Sequence, residues 1–175
     1  LVSKPDSNEI LCLVRWNKRG NPKGNSSMAA VWNGAQWGNA TNLEAYANSV
    51  ISCDTIDAAY SANGALVVYT DGTSTPRYRT WDGTRWGANS SVGGALLAQP
   101  YWIRVEFSAD GSTAFAAFLD ADWRLNGKYW TPTGGWDAAY NNFGTVGGAR
   151  LDQKLYRDFD IAWNKQANAL MVVYG

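Results

Sequence analysis

The chain has 175 residues, 46% of them hydrophobic and 17% charged, enough for a sizeable core and too apolar for disorder. Fifteen Lys and Arg balance fifteen Asp and Glu without a run of like charge, which argues against a nucleic-acid or anionic-membrane partner. No apolar stretch reaches the length of a membrane span.

In chain order, Leu1-Val2-Ser3 reads as the remnant of a strand, and Ile10-Leu11-Cys12-Leu13-Val14 is a short, continuous apolar run. Ala29-Ala30-Val31-Trp32-Asn33-Gly34-Ala35-Gln36-Trp37-Gly38 then reads as a strand ending in Trp, a turn, and a second Trp opening another strand. Asn33-Gly34 is expected to take positive φ at both corners, as in a type I′ hairpin. Residues 39–53 are less regular, and Leu43-Glu44-Ala45-Tyr46 leaves a helical turn open. Ile56-Asp57-Ala58-Ala59-Tyr60 alternates in the manner of a strand, Ser61-Ala62-Asn63-Gly64 is a turn, and Ala65-Leu66-Val67-Val68-Tyr69 is again continuously apolar. Tyr78-Arg79-Thr80-Trp81-Asp82-Gly83-Thr84-Arg85-Trp86-Gly87 repeats the double-Trp hairpin 49 residues after its first appearance.

The series continues through Ile103-Arg104-Val105-Glu106-Phe107, the turn Ser108-Ala109-Asp110-Gly111 and Ala114-Phe115-Ala116-Ala117-Phe118. A third hairpin runs from Tyr129-Trp130 through Pro132 and Gly134-Gly135 to Trp136. Phe159-Asp160-Ile161-Ala162-Trp163 and Leu170-Met171-Val172-Val173-Tyr174 close the chain. The apolar runs are too short for independent helices and are expected to be strands buried on both faces. In the alternating segments, Asp57, Arg104 and Asp160 fall on the more polar face.

Each unit is therefore three or four antiparallel strands forming a small meander, which must stack on a neighbour to bury its faces. The units divide as 1–53 (partial), 54–101, 102–156 and 157–175 (partial), about three and a half in all. Units of this length with four strands point to an all-β, propeller-like array, with a barrel or sandwich of the same meanders as the alternative. The opening at Leu1 and the end at Gly175 are expected of a processed chain or a piece of a longer array, and open edge strands invite pairing with another copy.

The segment Trp81-Asp82-Gly83-Thr84-Arg85-Trp86-Gly87, preceded by Val67-Val68-Tyr69-Thr70, resembles the hairpin of the bacterial and fungal fucose-binding lectins, which are propellers of short blades. It is also similar to tandem repeats on large bacterial surface proteins. The resemblance covers about twenty residues in each of three units and implies a bladed architecture. The Arg and Glu with which those lectins grip fucose have no counterpart in Leu66–Tyr69 or Tyr78–Thr80.

The sequence contains no His, which removes Ser-His-Asp and Cys-His catalysis together with His-ligated metals. Asp57, Glu106 and Asp160 are a conceivable carboxylate set for glycoside hydrolysis, though they read more simply as solvated or Arg-paired residues. Asp120-Ala121-Asp122 with Asn126-Gly127 offers oxygen ligands but reads as an Asx-rich turn, and no metal or cofactor is expected. Trp32, Trp81 and Trp130 are expected in the core. Trp37, Trp86 and Trp136 are expected to be more exposed, where they are candidate stacking platforms for sugar rings. Cys12 and Cys53 are a candidate disulfide. The composition suits an extracellular or cell-surface protein, and the reading as a whole is a non-enzymatic structural or adhesion module. Its expected partners are itself, further units of the same kind, or glycans; a lectin is the alternative and a glycosidase the third reading.

Overall fold

A computed structural model describes residues 1–18, 24–47, 54–145, 157–164 and 166–175. Among these residues there is no helix, and the strands form four antiparallel sheets. The first is the meander β1 (Val2–Ser3), β2 (Ile10–Lys18), β3 (Gly24–Trp32) and β4 (Trp37–Ala47). The second is β5 (Ile56–Ser61), β6 (Gly64–Tyr69), β7 (Arg77–Trp81) and β8 (Ser90–Ser91). The third is β9 (Pro100–Phe107), β10 (Ala114–Asp120), β11 (Arg124–Thr131) and β12 (Gly135–Trp136), with β13 (Asn141–Thr145) also on β11. The fourth is the pair β14 (Phe159–Asn164) and β15 (Ala169–Tyr174).

Alternation along the second strand of each sheet explains the stacking. On β6, Ala65, Val67 and Tyr69 pack with Leu11, Ala29, Val31 and Leu43 of the first sheet. From the other face of β6, Leu66 and Val68 pack with Ile103, Val105, Ala116 and Phe118 of the third. On β10, Phe115, Ala117 and Leu119 turn instead toward Phe159 and Ile161 of the fourth sheet. Every residue of β6 and β10 is buried, as expected of continuous apolar runs with a sheet on either side. Each large aliphatic or aromatic side chain so enclosed contributes about 1.5–3 kcal/mol. The equivalent runs in the end sheets depart from the expectation of two buried faces: Val14, Met171 and Val173 are exposed, because only one face of each end sheet is covered.

Most hydrogen bonds between sheets have their donor on the later sheet, the bond from Arg104 to Asp160 of the fourth sheet running the other way. The Trp81 indole N–H donates to Glu9 Oε1 at 3.0 Å and the Trp163 indole to the Glu106 carbonyl at 3.3 Å. Trp86 donates to the Asn39 carbonyl. Lys128 Nζ, buried in the third sheet, donates to the carbonyls of Gly93 and Val92 at 2.7 and 3.3 Å and lies 4.5 Å from the centre of the Tyr140 ring. In each of these indole and lysine bonds the donor belongs to the later sheet.

The hairpins differ from the type I′ expectation. Gly34 and Gly83 have φ of 95° and 94°, whereas Asn33 and Asp82 stay out of the left-handed region. Asp82 Oδ1 accepts the N–H groups of Thr84 and Arg85 at 2.9 Å each, and Asn33 Oδ1 accepts those of Ala35 and Gln36. The side chain thus closes the turn itself, so only the glycine needs positive φ. The stretch left open to a helical turn, Leu43 to Tyr46, is part of β4, whose pairing with β3 is broken by register shifts.

Gly127 on β11 lies under the ring of Phe115, and a Cβ there would run into the ring's edge. Because Phe115 is enclosed between two sheets, it cannot retreat. Gly127→Ala is expected to lower the unfolding free energy by about 1–3 kcal/mol in urea titrations, with part of the loss recovered by adding Phe115→Leu.

Candidate functional site

The first strands β1, β5, β9 and β14 lie in succession: β1 beside β5, β5 beside β9, and β9 beside β14. This brings together side chains more than a hundred residues apart. β10 pairs with one edge of β9, and the residues beside the other edge come from the preceding sheet. The Ile103 N–H donates to the Asp54 carbonyl and the Val105 N–H to Asp57 Oδ2, both at 2.9 Å. A cavity of about 690 Å³ opens here, lined in part by Val2, Arg15, Asp57, Tyr60, Arg104 and Glu106.

Arg104 is the hub. Its guanidinium reaches Asp57 at 3.1 Å, Asp160 at 3.1 Å and Glu106 at 3.6 Å, and Arg157 adds a further contact to Asp160 at 3.2 Å. Burial raises the Asp57 carboxyl above its ordinary range, opposed by Arg104 and by the N–H groups of Val105 and Ala58. Burial also raises Glu106, again opposed by Arg104. Burial pulls Asp160 up too, but the Ile161 N–H and Arg104 outweigh it and its pKa is lowered. The three candidate carboxylates therefore do converge, and each is paired with one shared cation.

The second tryptophans have separate fates. Trp86 is half-buried against the first sheet, its ring tilted at 47° to that of Trp81 with centroids 5.2 Å apart. Trp136 is half-buried against the second sheet, edge-on to Tyr78 at 5.5 Å. Trp37 pairs with Trp32 at 5.6 Å and is 51% exposed. Of the first members, Trp81 and Trp130 are buried as expected, while Trp32 is only half-buried. Cys12 is half-buried on β2, and Cys53, its candidate disulfide partner, lies outside the described residues. Asp120, in the segment weighed as a cation loop, accepts the N–H groups of Asp122 and Arg124 through Oδ1 at 2.9 and 3.0 Å. Among the described residues no three His, Cys, Asp or Glu side chains cluster as metal ligands would.

Arg104 was not among the candidate residues, although the signal was present in the sequence. In the alternating strands it stands at the position that Asp57 and Asp160 occupy in the neighbouring sheets, so opposite charges recur in step. Glu9, just before β2, and Asn39, on β4, receive the indole N–H groups, and nothing in the sequence marks either as an acceptor. No protein-family model matches the chain, and neither does any curated protein.

Arg104→Met would leave Asp57, Glu106 and Asp160 facing one another without their cation. In the native chain, raised folded pKa values for Asp57 and Glu106 mean that these groups add stability as pH falls toward their ordinary values. Without Arg104 those values rise further. The stability deficit of the variant is expected to be about 1–3 kcal/mol at neutral pH and to shrink toward pH 4 as the carboxyls protonate. Urea unfolding across that range measures it, and a deficit independent of pH would remove the electrostatic account.

Proposed function

We propose that the stacked meanders are blades of a propeller-like array, and that the chain is a non-enzymatic structural or adhesion module of an extracellular or cell-surface protein. The observation that carries this reading is where the chemistry-bearing side chains go. Asp57, Glu106 and Asp160 are bound to Arg104. Trp86 and Trp136 pack against the preceding sheet. Groups that would serve a reaction or a sugar are thus engaged in joining sheet to sheet. The succession of first strands, each beside the next, also favours blades over a barrel.

The lectin alternative keeps one point in its favour, the open ring of Trp37. Two measurements separate the readings. In urea unfolding, Trp86→Ala and Trp136→Ala are expected to cost about 2–4 kcal/mol each, and Trp37→Ala less than about 1 kcal/mol. On a glycan array the wild-type chain is expected to show no saturable binding. Specific sugar binding that disappears in Trp37→Ala would replace the scaffold with a lectin.

A further inference from the structure

Exposure differs systematically between positions that correspond in successive sheets. Val14 on β2 corresponds to Tyr69 on β6 and Phe118 on β10, both fully buried, yet Val14 is 42% exposed. Trp32 and Trp37 are likewise more open than Trp81 and Trp86. At the other end, Met171 and Val173 on β15 correspond to Leu66 and Val68 on β6 and to Phe115 and Ala117 on β10. Those four are fully buried, while Met171 and Val173 are 53% and 64% exposed. The two open faces are of opposite kinds. Val14 lies on the face that in later sheets receives the preceding sheet, and Val173 on the face that in earlier sheets receives the following one.

We propose that a second copy of this chain covers these faces, head to tail, with the β14–β15 face of one molecule stacked on the β2 face of the next. The inter-sheet contacts within the chain are the precedent. Leu66 and Val68, which share the positions of Met171 and Val173, already pack against Ala116 and Phe118 of the next sheet. A single molecule displays both halves of that contact, one at each end, so the contact is heterologous, and its rotation sets whether it closes a ring or extends. The mode differs from pairing of open strand edges, because side chains meet face to face and no backbone ladder is extended. Among the described residues the last sheet brings two strands to the contact, so the interface is below standard size and association is weak.

This inference deepens the scaffold reading and has its own test. Sedimentation of the full 175-residue chain is expected to show a weight-average mass that climbs between about 20 µM and about 1 mM. Val14→Glu and Val173→Glu each spoil one face at an exposed position, and each alone is expected to stay monomeric with an unchanged melting temperature. Mixed in equal amounts they retain one intact pair of faces and are expected to form a dimer that grows no further. A wild-type monomer at about 1 mM overturns the assembly and leaves the scaffold reading to its glycan test. Single variants that still assemble, or a mixture that stays monomeric, overturn the head-to-tail arrangement.

Discussion

A strand that is apolar on both faces needs a partner on both, and that requirement governs the rest of this molecule. β6 and β10 bury every side chain they carry. Since neighbouring residues point to opposite faces, each strand divides its apolar surface between two different sheets. Leu66 belongs to one interface and Val67 to the other, so each middle sheet is shared between two interfaces. Arg104 and its carboxylate partners gather on the first strands, while Glu44, Asp120 and Lys128 are buried within the sheets.

Several polar groups find partners on the neighbouring sheet. The N–H groups of Ile103 and Val105 on β9 would face a low-dielectric gap, and the preceding sheet supplies a carbonyl and a carboxylate to them. Lys128 loses its hydration inside the third sheet and recovers part of it from two carbonyls and the face of Tyr140. The acceptors are carried by the earlier sheet in each case. Stacking is therefore directional as well as apolar, and a sheet entering in the reverse sense would leave its indoles and its lysine without acceptors.

Much of this was legible in the chain. The strands Ile56–Ser61, Gly64–Tyr69 and Ala114–Asp120 were readable from alternation and from short apolar runs, because burial on one or two faces writes itself into hydrophobic spacing. The double-Trp hairpins were readable as hairpins but not in their backbone detail, since Asp82 can either adopt positive φ or close the turn through its carboxylate, and composition does not distinguish the two. The fate of Trp37, Trp86 and Trp136 was not legible at all. All three occupy the same place in their hairpins, and what separates them is whether another sheet stands in front. Arg104 lay between these extremes, visible as an aligned charge but recognisable as a hub only once three strands had been set side by side.

The meander order has a further consequence. Within each sheet the strands are mostly hydrogen-bonded to their neighbours in sequence, so the ladders close over short loops, and the contacts between strands lie mainly within a sheet, with fewer between adjoining sheets. The entropic cost of ordering the chain is met in small instalments rather than in one large loop closure. Damage is correspondingly confined: a defect in one meander weakens that meander and the two it touches, while a more distant one keeps its own cooperative unit. Lengthening or shortening such a polypeptide by a whole meander changes the number of nearest-neighbour terms and leaves their kind unaltered.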